Sequence, residues 1–207
     1  MQRIKKLFTK ILIVPNNKKF LNNDNYKDIP NIETLEIPLE TKIESNFFKN
    51  FEGLRVIKFD PYYFNFINKS QINCVIIPEG IKELNYIMFR KMKSLEMIEI
   101  PISVETIEKN TFSEYLNIIS VKSQPKWINY LNKKNLKSVI ILKGELDIKS
   151  DIFEGCENLE TVVIPNEYNI FENYLFRECR NLNIIKYYSG GKNILNLYIK
   201  YLKILKI

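Results

Sequence analysis

The stretch FRKMKSLEMIEIP, residues 89–101, decides the fold once it is laid over FEGCENLETVVIP (153–165) and FFKNFEGLRVIKFD (47–60). All three follow one template, aromatic-x-x-apolar-x-x-L-x-x-I-x-I-P, with an aspartate replacing the final proline in the last. The template extends along the chain. Its aromatic column reads Tyr26, Phe48, Phe66, Phe89, Phe112, Tyr130, Phe153 and Phe176. Farther along each unit stands a second column: Ile32, Leu54, Ile72, Leu95, Ile118, Leu136, Leu159 and Leu182. Two further columns, in alternate positions, run from Leu35 to Ile185 and from Ile37 to Tyr187, and only Ser123 breaks them with a polar residue.

Two apolar positions separated by one residue are the alternation of a strand with one buried face. A unit of this size cannot bury its own apolar face, so successive units must stack and share one core, which makes the chain a solenoid. The residue before the leucine column (Gly53, Ser94, Asn117, Asn135, Asn158 and Asn181 among others) is of a type that tolerates sharp turns. Pro38, Pro78, Pro101 and Pro165 follow the strand and end its ladder, because proline has no N–H to donate. IPEGIKEL and IPISVETI then alternate again, which predicts a second short strand on another side of each coil.

Successive steps along the aromatic column are 22, 18, 23, 23, 18, 23 and 23. The two short coils, DPYYFNFINKSQINCVII from Asp60 and QPKWINYLNKKNLKSVII from Gln124, match each other at one constant offset. Pro61 aligns with Pro125, Asn65 with Asn129 and Asn68 with Asn132. The predicted array is therefore of about nine coils, in which every third coil, the step of 18, is shortened by loss of the second strand. In DPYYFNFINK the bulky residues are expected to fill the space so vacated, leaving Tyr62 as the one outward contact.

LEMIEIPISVETIEKNTF and LETVVIPNEYNIFENYLFRECRNL closely resemble the 23-residue leucine-rich repeats of BspA-like proteins over about residues 10–190. That resemblance implies a right-handed, strand-dominated α/β solenoid serving as a binding scaffold, in a family that includes bacterial surface adhesins and is expanded in some protists. The usual repeat cysteine is met only by Cys156 and Cys179, with Lys69, Met92, Tyr115 and Lys133 in that column elsewhere. One domain is expected over 1–207: an N-terminal cap at 1–10, repeats at 11–190, and a C-terminal cap at 191–207. In KNILNLYIKYLKILK the lysines and asparagines fall on one face at helical spacing, so the cap is read as a helix. A further strand-bearing coil and a basic membrane-surface helix are the alternatives.

Composition narrows the function. With no histidine, His-based acid–base catalysis, Ser-His and Cys-His pairs and His-containing zinc sites are excluded. The three cysteines, Cys74, Cys156 and Cys179, are too scattered for a disulfide framework or a four-thiolate metal site. They are read as reduced core residues of a cytoplasmic protein; a cell-surface location reached without a signal peptide is the alternative. The start MQRIKKLFTKILIVP is basic then apolar, but Lys10 interrupts the run and no small-x-small cleavage site follows. The net charge of +7 is spread along the chain without the dense basic block of a nucleic-acid footprint. No cofactor, metal or catalytic residue is predicted.

What remains is a non-enzymatic protein-interaction scaffold, monomeric, using the strand-lined concave face. The expected contacts are Arg55, Lys58, Glu96, Glu99 and Lys122, with Ile76, Ile140 and Val163 as apolar anchors. Adhesin-like binding of extracellular proteins and anionic-membrane association through the basic C-terminal segment are the alternatives.

Overall fold

The computed structural model describes residues 11–15, 20–21, 32–144, 151–168, 175–188 and 200–202. In its first part the strands are β1 (Ile11–Ile13), β2 (Phe20–Leu21), β3 (Thr34–Glu36), β4 (Lys42–Ile43), β5 (Val56–Lys58) and β6 (Cys74–Ile76). The middle holds β7 (Glu83–Leu84), a single helical turn α1 (Tyr86–Phe89), β8 (Met97–Glu99) and β9 (Thr106–Ile107). The last part holds β10 (Ser120–Ser123), β11 (Ser138–Ile141), β12 (Thr161–Pro165), β13 (Ile184–Tyr188) and β14 (Lys200–Leu202).

Ten of these strands form one sheet in the order β1-β3-β5-β6-β8-β10-β11-β12-β13-β14, and all neighbours are parallel except the last pair. Parallel neighbours in sequence order, each joined by a crossover, are what stacked coils require. The register follows the sequence columns: Leu35↔Ile57, Ile57↔Val75, Val75↔Ile98, Ile98↔Val121, Val121↔Val139, Val139↔Val162 and Val162↔Ile185. The second short strands pair as expected from the residues after the prolines, β2 with β4 and β7 with β9. None intervenes in the coils that begin at Asp60 and Gln124.

Stacking fills the interior with aromatic rings. Phe48 lies 5.3 Å from Phe59, Phe59 5.3 Å from Phe64, Phe64 6.1 Å from Phe89 and Phe89 4.8 Å from Phe112. Ser123, the one polar break in the strand columns, is fully buried, and its hydroxyl donates to the Gln124 carbonyl at 3.0 Å. The polar group is thus satisfied internally rather than exposed.

The short coils run as 3₁₀ turns, Pro61–Phe66 then Lys69–Gln71, and Pro125–Tyr130 then Lys133–Asn135. Asn68 and Asn132 cap the second turn in each, their side chains accepting from Ser70 N–H at 3.1 Å and Lys134 N–H at 3.3 Å. This accounts for one of the asparagine matches between the two short coils. The aromatic column needs a correction here. Phe64 is fully buried and its counterpart Ile128 likewise, whereas Phe66 is 43% exposed. The core position of a short coil lies earlier than the column predicted, at Phe64 in place of Phe66, because the 3₁₀ turn that starts at Pro61, with no second strand before it, carries Phe64 inward and leaves Phe66 on its outer side. Tyr62 is 70% exposed, as expected for an outward contact.

At the C-terminal end the expected helix is not formed in the described residues. Lys200–Leu202 is a strand that pairs antiparallel with β13, Ile185 opposite Leu202 and Tyr187 opposite Lys200. The remainder of 191–207 and the predicted cap at 1–10 lie outside the described residues.

Candidate functional site

One face of each ladder strand supplies the core, so the alternate residues line the opposite face in two columns. The first is Glu36, Lys58, Ile76, Glu99, Lys122, Ile140, Val163 and Lys186, with Glu36↔Lys58, Ile76↔Glu99, Glu99↔Lys122, Lys122↔Ile140, Ile140↔Val163 and Val163↔Lys186 in register. Strand neighbours stand about 4.8 Å apart, so opposite charges in adjacent coils meet. The Lys58 ammonium lies 2.5 Å from Glu36 Oε1, and the Lys122 ammonium pairs with Glu99 Oε1.

This pairing changes the reading of the expected contacts. Lys58, Glu99 and Lys122 are brought into one column, but their charges are satisfied along the solenoid axis. Such partly exposed pairs contribute about 0–1 kcal/mol each; their larger effect is to neutralise the face. Ile76 stands half-exposed between the two ion pairs. Ile140 is half-buried, and Val163, hemmed between Ile140 and Lys186, is only 7% exposed. Val163 therefore offers almost no apolar surface to a partner, a correction to its predicted role as an anchor. Arg55 and Glu96 lie outside this column, at the position that precedes the strands, and are both exposed.

Cys74 lies on the same side of the sheet as Ile76 but is 7% exposed, and burial together with the nearby Glu99 pushes its thiol up to about 11. Cys156 and Cys179 are free, buried thiols, pushed up to about 11 and about 12, chiefly by burial. Thiols held so far from ionisation are core residues rather than nucleophiles.

Along the edge of the face runs a series of side chains that tie each coil to the one before. Ser94 Oγ donates to Ser70 O at 2.8 Å, Asn117 Nδ2 to Lys93 O at 2.9 Å, Asn135 Nδ2 to Leu116 O at 2.5 Å and Asn158 Nδ2 to Lys134 O at 2.7 Å. Asn181 Nδ2 continues the series to Asn158 Oδ1 at 3.3 Å. These are the residues read from sequence as turn formers; they also bridge coils. Beside them is a depression of about 280 Å³ lined by Glu96, Leu116, Asn117, Ile119, Asn135, Lys137 and Asn158. Of these only Glu96 was among the expected contacts. A larger notch of about 550 Å³ lies at the second short coil, lined by Lys109, Asn110, Ser113, Asn129, Tyr130, Leu131 and Asn132.

A parallel ladder of stacked coils, an aromatic spine and an axial series of asparagines is matched by a known repeat family: the BspA type leucine-rich repeat region, in six copies, fits residues 62–134 and 128–207. The chain belongs to the BspA-type leucine-rich repeat family. Leucine-rich repeats of this type commonly mediate protein–protein interaction and are generally non-enzymatic. Among curated proteins none matches the sequence significantly. Solved structures similar to this BspA-type chain include a leucine-rich repeat protein from Eubacterium ventriosum, at 19% identity and a TM-score of 0.38, over 74% of this chain and 48% of that one. Another is a leucine-rich repeat protein from Bacteroides ovatus, at 17% identity and a TM-score of 0.33, over 87% of this chain and 42% of that one. The chain thus spans less than half the length of either.

Proposed function

We propose that this BspA-type chain is a non-enzymatic scaffold that binds a protein partner along the exposed face of its long sheet. The observation that carries the reading is the register of that face. Adjacent coils present side chains in straight columns whose charges are already paired, Lys58 with Glu36 and Lys122 with Glu99. A neutralised, shallow surface broken by single apolar side chains is the composition of a protein-binding face, whereas phosphate tracking requires continuous unpaired Lys and Arg.

The test is affinity capture with the wild-type chain beside an Ile76→Lys/Lys58→Glu/Lys122→Glu variant. A partner retained by the wild type and weakened by about tenfold or more, about 1.4 kcal/mol, in the variant is the expected result. Equal capture by both overturns the proposal. We place this interaction in the cytoplasm, a reading supported by three cysteines none of which is in a disulfide. Cell fractionation that finds the chain at the surface favours the adhesin-like alternative instead.

A further inference from the structure

The coil that carries Leu116 and Ile119 departs from its neighbours at two outward positions at once. At the position of Ile119 the coils on either side carry Glu96 and Lys137, and every other coil from Glu33 to Asn183 is polar there. At the position of Leu116 the flanking coils carry Lys93 and Lys134, and the column is otherwise polar from Glu52 to Arg180. The core does not need either residue: Phe112, Ile118 and Val121 of the same coil already fill it and are fully buried. Leu116 is instead 57% exposed and Ile119 38% exposed, and together they floor the 280 Å³ depression. A repeat that turns these two otherwise polar positions apolar in the same coil, side by side, keeps them for something other than stacking.

The charges around this floor are unequal. Lys137 lies 3.5 Å from Glu160, and in the adjacent column Lys122 is held by Glu99. The Glu96 carboxylate carries no ion pair among the described residues. The Asn117 and Asn135 amides are spent on the preceding coils at 2.9 and 2.5 Å, which fixes the rim and leaves each Oδ1 as an acceptor. At about 280 Å³ the depression is smaller than the ~300–1,000 Å³ of small-molecule sites. It suits one large side chain of a partner.

Resting on the reading of the chain as a protein-binding scaffold, we propose that Leu116 and Ile119 seat a large apolar side chain of a partner protein's extended segment, with a neighbouring Lys or Arg of that segment paired to Glu96. The apolar side chain loses its hydration against the floor, and the unpaired carboxylate selects the charge beside it.

Panning a phage-displayed library of randomised linear peptides on the immobilised wild-type chain tests this directly. The expected peptides carry a large apolar residue near a Lys or Arg. Their synthetic forms should lose about tenfold or more in affinity for Leu116→Ser/Ile119→Thr, a variant whose melting transition stays in place because both side chains are exposed. Glu96→Lys should turn the selected charge from basic to acidic. Failure to select any binder, undiminished binding to Leu116→Ser/Ile119→Thr, or an unchanged charge preference with Glu96→Lys each overturns the proposal. Peptides lost with Ile76→Lys but kept with Leu116→Ser/Ile119→Thr leave the wider face as the binding surface and remove this site alone. Sedimentation at rising concentration provides the remaining outcome: self-association abolished by Leu116→Ser/Ile119→Thr assigns the site to a second copy and overturns the partner reading.

Discussion

Lys69 occupies the position that neighbouring coils give to Phe51 and Met92, both buried. It is 7% exposed, and its ammonium donates to Met88 O at 2.7 Å, Asn65 Oδ1 at 3.0 Å and Ile87 O at 3.3 Å. Two of the bonds satisfy carbonyls of α1, a single turn whose last C=O groups lack intrahelical donors. Burial, and then the like charge of Lys91, lower its pKa from 10.5 to about 8. Between pH 8 and 10.5 the unfolded chain binds the proton and the folded one does not, so stability rises with pH across that window. The denaturation midpoint of wild type minus that of Lys69→Met should therefore move in favour of wild type from pH 7.5 to 10, a range chosen to span about 8. A difference that stays flat contradicts the burial. A second contrast tests the corrected core position. Phe64→Ala should cost about 3–5 kcal/mol by emptying a buried ring site, while Phe66→Ala, exposed on its turn, should cost about 0.5 kcal/mol or less. Urea unfolding of the two variants separates them, and equal losses would restore the fixed-offset column. Phe66 misled because offsets counted from Ile72 assume a constant coil geometry. The match of Phe64 with Ile128, at the same offset that relates Pro61 to Pro125, was already legible in the sequence.

The recurring element is a strand, a turn and a side chain that reaches back one coil. Asn117, Asn135, Asn158 and Asn181 were legible as turn formers, since asparagine tolerates such backbone. Their second role was not, because a single coil does not contain the carbonyl that the amide reaches. Asn158 has the most to lose: its Nδ2 donates to Lys134 O at 2.7 Å and its Oδ1 accepts from Asn181. Asn158→Ala should cost about 1–2 kcal/mol, at about 1 kcal/mol per net hydrogen bond. Asn181→Ala, which loses the single 3.3 Å bond, should cost less. Thermal melts ranking Asn158→Ala at or above Asn181→Ala in stability would contradict the axial series. The ion pairs of the exposed face were hidden in the same way. Lys58, Glu99 and Lys122 read as available charges in the sequence, and only the parallel register sets Lys58 against Glu36 and Lys122 against Glu99.

On the scale of the whole molecule, a solenoid is limited by its ends, because stacking leaves the last coil with an uncovered apolar section and an unpaired strand edge. The ladder itself was legible because each coil repeats one environment, so that the same pattern recurs column by column. The strand at Lys200–Leu202 was not. KNILNLYIKYLKILK has helical spacing of lysines and asparagines, yet Lys200–Leu202 pairs with β13, whose open N–H and C=O groups favour a strand over the intrinsic preference of the segment. β14 runs antiparallel to an otherwise parallel sheet and covers the backbone edge of β13. Truncation after Tyr188 removes this strand and re-exposes the β13 edge. The truncated chain should lose about 2 kcal/mol, for a short strand pairing at about 1 kcal/mol per hydrogen bond. It should also associate through the freed edge at lower concentration than the full chain. Sedimentation velocity of both forms over a dilution series checks the outcome. A truncated chain that stays monomeric and melts with the full one would show that β14 neither protects the edge nor stabilises the last coil.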